Sequence, residues 1–98
     1  MLTREGFEKL LGALDSDPAR AGELYERLRG KLVRFFEWHQ ARAAEDLADD
    51  VFDRVGRRLA EGEAIRAKDP ASYFFGFARN VLHEYWDAVK REQRVLRE

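Results

Sequence analysis

The segment that decides the fold reads PASYFFGFARNVLHEYWDAVKR, residues 70–91, and has the spacing of a long amphipathic helix. Pro70 suits the first helical turn, and Asp69 before it can cap the helix. With about 100° between successive residues, one side of this helix collects an apolar face made of Phe74, Ala78, Val81, Leu82, Tyr85 and Val89. We therefore predict a helix over residues 70–94 whose apolar face is buried.

The same segment carries more rings and cations than a core stripe needs. The residues outside the apolar face form a second stripe and a third one beside it: Arg79, His83, Trp86 and Lys90, then Tyr73, Asn80, Glu84, Asp87 and Arg91. Cations that track phosphates, together with rings that stack on unpaired bases, suit single-stranded nucleic acid. Spacing alone favours the other interpretation, a solvated helix face whose Trp86 folds back onto a neighbour.

Three further helices are predicted before this segment, over residues 3–15, 18–38 and 44–60. Thr3 and Asp17 are suitable N-caps, Pro18 suits a first helical turn, and Gly62 is expected to end the third helix. Each of the three segments has apolar residues at helical spacing. The expected architecture is all-α, a compact bundle of about four helices that forms a single domain over residues 1–98.

Composition excludes several classes of protein. Without cysteine, the chain cannot form disulfides or a cysteine-ligated zinc site. The N-terminus has no apolar signal core and the chain has no apolar run long enough to span a membrane, so we expect a cytoplasmic protein without membrane contact. The net charge of −1 argues against a general polyanion binder.

The charge is unevenly distributed, however. Residues 44–61 hold six acidic and three basic side chains, whereas residues 66–97 hold seven basic and four acidic ones. One acidic and one basic region suggest two different partners.

Nothing in the sequence indicates catalysis. No phosphate-binding glycine loop, dinucleotide motif or paired-histidine metal motif is present, and His39 and His83 are far apart in sequence. The aspartates of residues 46–53 could suit a divalent cation, but their spacing on one helix face is more typical of solubility or of a basic partner. We expect a binding domain that is not an enzyme and that needs no metal and no cofactor.

Two blocks of the sequence, AEDLADDVF at residues 44–52 and YFFGFARNVL at residues 73–82, resemble region 2 of bacterial RNA polymerase sigma factors of the extracytoplasmic-function type. The resemblance spans about residues 20–94. It implies a compact helical domain that docks on a coiled coil of the largest subunit of core RNA polymerase. It also implies recognition and melting of the minus-ten promoter element in transcription initiation, with contact to the nontemplate strand.

The resemblance assigns roles to individual positions. The acidic helix matches the polymerase-docking segment, which makes Asp46, Asp49, Asp50, Asp53 and Arg57 the candidate docking residues. The loop of Ile65, Arg66, Ala67 and Lys68 matches the place where such factors hold a flipped base. The remaining candidate DNA-binding residues match the helix along the melted element: Tyr73, Arg79, Asn80, His83, Trp86, Lys90 and Arg91. An anti-sigma factor is a further expected partner.

The chain departs from the family pattern in two places. Family members commonly carry arginines directly after the position of Trp86, whereas Asp87-Ala88-Val89 precedes Lys90-Arg91 here. The helix-turn-helix region that reads the minus-thirty-five element has no counterpart in residues 1–98, and an excised domain is the favoured explanation. The alternative hypothesis is a helical protein-interaction module that mimics a sigma domain without reading DNA.

Overall fold

The part of the chain that the structure describes folds as four α-helices, which confirms the predicted all-α bundle. The computed structural model describes residues 2–65 and 69–97. Its helices are α1 (Arg4–Leu14), α2 (Pro18–Trp38), α3 (Ala44–Ala60) and α4 (Pro70–Arg97). The last helix runs three residues past the predicted end at residue 94.

The helix ends are fixed by the capping residues that the sequence indicates. The Thr3 hydroxyl accepts a hydrogen bond from the Gly6 amide at 3.0 Å, and the Asp17 carboxylate accepts one from Ala19 at 3.2 Å. Asp69 does the same for α4, accepting from the Ala71 amide at 3.1 Å. Each bond satisfies an amide that has no partner inside its own helix.

Two helices end in Schellman motifs, only one of which uses glycine. After α3, Gly62 has a φ of 99°, and the amides of Gly62 and Glu63 donate back to the carbonyls of Leu59 and Arg58. After α2, the same pair of bonds forms around Gln40, which has a φ of 59°. The left-handed conformation is strained for a residue with a side chain. The α2–α3 connection therefore stores strain, which Ala43 increases with a φ of 57°.

The core is organised around α3, which packs against the other three helices. Phe52 of α3 lies between Tyr25 of α2 and Phe74 of α4, with ring centroids 4.7 and 5.4 Å away. On α4 the predicted apolar face divides. Phe74, Ala78 and Val81 are buried, while Leu82, Tyr85 and Val89 are half-buried. The burial of that face thus weakens along α4.

A backbone contact brings α1 close to α3. Gly6 and Gly56 are both buried, and a side chain at Gly6 would lie 3.2 Å from the Gly56 carbonyl oxygen. A side chain at Gly56 would collide with Leu2. The lack of a side chain at Gly6 therefore allows α1 to approach the backbone of α3 closely, whereas at Gly56 the displaced group would be the end of the Leu2 side chain.

The C-terminal turns of α4 extend beyond the bundle. Every residue from Lys90 to Arg97 is exposed, and the described residues span 53 Å in their longest dimension against 26 and 23 Å in the others. Val95 and Leu96 are 72% and 82% exposed. This projecting part of α4 presents apolar and basic side chains to solvent.

Candidate functional site

The outward face of α3 carries the predicted docking residues. Asp46, Asp49 and Arg57 are exposed, and Asp50 and Asp53 are half-buried. Their positions repeat at three- and four-residue intervals, which places them on one side of the helix. Their carboxylates are not equally available to a partner.

Asp49 is partly neutralised by α2. The Arg29 guanidinium donates a hydrogen bond to its carboxylate at 3.3 Å. That hydrogen bond is the main cause of the raised pKa of Arg29. The pKa of the neighbouring Tyr25 phenol is also raised, chiefly by burial and secondarily by the charge of Asp49. Asp49 therefore helps to hold α2 against α3.

Asp50 belongs to a three-residue ion-pair network. Arg54 donates to Asp50 at 3.2 and 3.4 Å, and across the interface with α4 it donates to Glu84 at 2.6 and 2.9 Å. The hydrogen bond to Glu84 is the largest cause of the raised pKa of Arg54, and the same bond lowers the pKa of Glu84. The network joins the acidic helix to the helix predicted to bind DNA.

Arg54 is not among the candidate residues that the sequence indicates. The four-residue separation of Asp50 and Arg54 is the usual spacing of a helical ion pair and could have indicated half of the network. Glu84 is thirty positions away from Arg54. No local pattern predicts a contact over that separation.

The predicted DNA-binding residues of α4 fall into two groups by exposure. Arg79, Asn80, His83, Lys90 and Arg91 are exposed, as their spacing predicted. Tyr73 and Trp86 are half-buried, although the same spacing placed both on exposed stripes.

Each of these two rings packs against another ring of α4. Tyr73 lies edge-on to Phe77 with centroids 5.2 Å apart, and burial raises the pKa of its phenol, to which the charge of Glu63 adds. Trp86 lies edge-on to Tyr85 at 5.3 Å. The half-burial of Trp86 against Tyr85 agrees with the interpretation that spacing alone favoured, in which Trp86 folds back onto a neighbour.

A polar groove of about 440 Å³ lies between α3 and α4. It brings together residues that the sequence assigned to two different partners, since Arg57 of the docking set and Asn80 of the DNA-binding set both line it. Arg58 also lines the groove, where its guanidinium lies 5.5 Å from the ring centroid of Phe77. Arg58 additionally pairs with Glu63 at 3.4 Å. Arg57 therefore faces the same space as Asn80.

The predicted loop residues Arg66 and Lys68 lie outside the described residues, as does Ala67. Ile65, the last described residue before them, is half-buried and packs against the core.

Within residues 2–65 and 69–97, no group of three or more histidine, aspartate or glutamate side chains is arranged to hold a metal ion. In the same part of the chain, no helix has the length and apolar character needed to span a membrane. Comparison of the chain with protein-family models, with curated proteins and with solved structures found no match.

Proposed function

We propose that this domain is the promoter-recognition module of a sigma-type transcription factor, which binds core RNA polymerase through α3 and the minus-ten element through α4. The observation that carries the proposal is the separation of charge between two faces. Asp46 and Asp49 are exposed on α3, while Arg79 and Lys90 are exposed along α4. An acidic face favours docking on a basic coiled coil, and a cationic stripe with an exposed carboxamide favours a single strand.

The docking half of the proposal is tested with a charge reversal. Asp49 and Asp50 form ion pairs with Arg29 and Arg54, so reversing them would also disturb the helix contacts. Asp46→Arg is the cleaner variant because Asp46 is exposed. We expect it to slow association with a fragment of the polymerase coiled coil. Glu23→Arg makes the same charge change on exposed α2 surface and is the matched control.

The DNA half is tested with the two histidines of the chain. His83→Ala, like Asn80→Ala, should weaken binding to a single-stranded minus-ten oligonucleotide relative to a scrambled one. His39→Ala removes an exposed imidazole at the end of α2 and should leave this binding unchanged. Equal affinities for all three variants and the unsubstituted domain would remove α4 from the DNA-binding role.

A second candidate function is a protein-interaction module that imitates such a domain without reading DNA. Two observations favour it. The charge of Arg54 is balanced by Asp50 and Glu84, so Arg54 adds little attraction for phosphates, and the exposed Leu96 at the end of α4 offers an apolar contact that suits a protein. The salt dependence of oligonucleotide binding separates the two functions. Contact with phosphates releases counterions and gives a clear negative slope of affinity with salt concentration.

A further inference from the structure

A groove of about 500 Å³ runs between the α2–α3 connection and the C-terminal half of α4. We call it the tail groove; its lining residues are Gln40, Arg42, Tyr85, Trp86, Val89, Glu92, Gln93 and Leu96. One of the large apolar side chains most exposed to solvent belongs to this lining. Leu96 lines it at 82% exposure, and Trp38, at 84% exposure, comes two residues before Gln40.

The shape of the tail groove suits a helix. Its α4 side is formed by Tyr85, Val89 and Leu96, which follow one another on one side of the helix over about three turns, or about 16 Å. A second helix laid along this face would place its own side chains between those of α4. The polar side of the groove is formed by Gln40 and Arg42 of the connection.

The position of this connection is fixed by specific contacts. The Arg42 amide donates a 2.8 Å hydrogen bond to the Tyr85 hydroxyl, which ties the connection to α4. Gln40 occupies a left-handed position that glycine would occupy without strain, and it is one of the residues that line the groove. Retaining a side chain there costs stability, which is expected where the side chain serves a contact.

The charges around the tail groove favour a partner helix that carries acidic residues. Trp86, Lys90 and Arg97 follow one another along one side of α4, so two exposed cations border the groove on that side. Arg42 lies across from them, and Glu92 is the acidic residue of the lining. A helix with carboxylates beside its apolar stripe complements this rim.

A second copy of the chain fits less well. A two-fold axis between antiparallel α4 helices would bring the same rim of each copy together, so that Lys90 and Arg97 of one copy would lie beside the cations of the other. Like charges placed opposite each other across an interface are unfavourable. A nucleic-acid strand would use the cations but would leave the exposed aliphatic chain of Leu96 without an apolar contact.

We propose that the tail groove is a docking site for an amphipathic helix of a partner protein, with an apolar stripe flanked by acidic residues. Val89 and Leu96 supply the apolar contacts, and Arg42, Lys90 and Arg97 pair with the acidic flanks. The tail groove and its rim share Trp86 and Lys90 with the candidate DNA-binding residues, but the apolar contacts, Val89 and Leu96, do not belong to that set.

The test uses a synthetic helix of about 18 residues, long enough to be partly helical in water, with leucines at three- and four-residue intervals and flanking glutamates. A matched peptide carries lysines in place of the glutamates. Binding is measured by calorimetry against the full chain. We expect the acidic peptide to bind at least about tenfold more tightly than the basic one, because the cations at the rim of the groove attract glutamates and repel lysines.

Two neighbouring aspartate substitutions compare a residue that lines the tail groove with an exposed residue of α4 outside the lining. Leu96→Asp should weaken binding of the acidic peptide by about tenfold or more, because it puts a charge into the apolar contact. Val95→Asp makes the same kind of change at a side chain that is 72% exposed and is not part of the lining, and binding should be unchanged. The exposure of both positions means that neither variant should unfold the domain, which a thermal melt checks.

Several results would overturn the proposal: equal binding of the acidic and basic peptides, or equal effects of the two substitutions. A dimer detected by sedimentation that Leu96→Asp abolishes and Val95→Asp preserves would assign the groove to a second copy. Loss of minus-ten oligonucleotide binding in Leu96→Asp alone would assign it to DNA. Absence of all oligonucleotide binding in the unsubstituted domain, with peptide binding intact, would contradict only the proposed promoter recognition.

Discussion

Arg54 holds the Glu84 carboxylate with two hydrogen bonds of 2.6 and 2.9 Å across the interface between α3 and α4. The bidentate geometry is the strong form of this ion pair, and the Arg54 side chain is only 29% exposed. Because the same guanidinium also contacts Asp50, it links the acidic face of α3 to the helix that carries the cationic stripe.

A double-mutant cycle measures the strength of this link. Arg54→Met and Glu84→Gln should each reduce the free energy of unfolding, and their effects should be non-additive by about 1 kcal/mol. The estimate stays low because the Glu84 side chain is 60% exposed and is screened by solvent. Urea denaturation of the four proteins checks it. Strictly additive effects would mean that the pair contributes no coupling.

The stabilising effect of Glu84 should depend on pH. Arg54 lowers the pKa of Glu84 in the folded protein, so the stabilisation is fully present above the unfolded-state pKa of about 4.3 and is lost as the pH falls through the lower folded value. The difference in unfolding free energy between the unsubstituted domain and Glu84→Gln should therefore be constant from pH 7 to about pH 5. It should shrink below about pH 4, and a difference that grew with acidity would contradict this sign.

Tyr85 should contribute to stability through its hydroxyl. Tyr85→Phe removes the acceptor of the Arg42 amide while keeping the ring, and we expect a loss of about 0.5–1 kcal/mol. The loss stays small because Arg42 is exposed and its amide can bind water instead. Thermal unfolding measures the effect, with Tyr73→Phe on the first part of α4 as the control for removing a hydroxyl. A loss of stability no greater than that of the control would show that the Arg42–Tyr85 hydrogen bond does not stabilise the domain.

The sequence predicts local structure well in this chain and contacts between distant residues poorly. The spacing of Phe74, Ala78 and Val81 indicates the buried side of α4, and Thr3 and Asp17 mark helix starts, because these features depend on residues within one or two turns. The Arg54–Glu84 pair depends on how α3 packs against α4, which spacing does not encode. For Trp86, spacing favours an interpretation in which the ring folds back onto a neighbour, without saying which one. Helical spacing gives its direction on α4 but not its ring contact with Tyr85.

The two Schellman motifs should respond oppositely to substitution. Gln40→Gly relieves a left-handed conformation with a φ of 59° and should stabilise the domain by about 0.5 kcal/mol, after the greater unfolded-state freedom of glycine is subtracted. Gly62→Ala imposes a greater strain, because a φ of 99° lies outside the left-handed region centred at about 57°, and should destabilise the domain by about 1 kcal/mol. Chemical denaturation compares both with the unsubstituted domain. A stabilising Gly62→Ala would contradict the role given to the left-handed backbone.

Arg57 should contribute to nucleic-acid binding more than to docking. The family pattern places it with the acidic residues of α3, yet it lines the polar groove together with Asn80 of α4. If the proposed promoter recognition is correct, Arg57→Gln should weaken binding to a single-stranded minus-ten oligonucleotide and reduce the salt slope by about 1, as expected for the loss of one phosphate contact. Docking on the polymerase coiled coil should stay intact, whereas Asp46→Arg should show the reverse pattern. An Arg57→Gln variant that docks poorly and retains its full salt slope would return Arg57 to the docking surface.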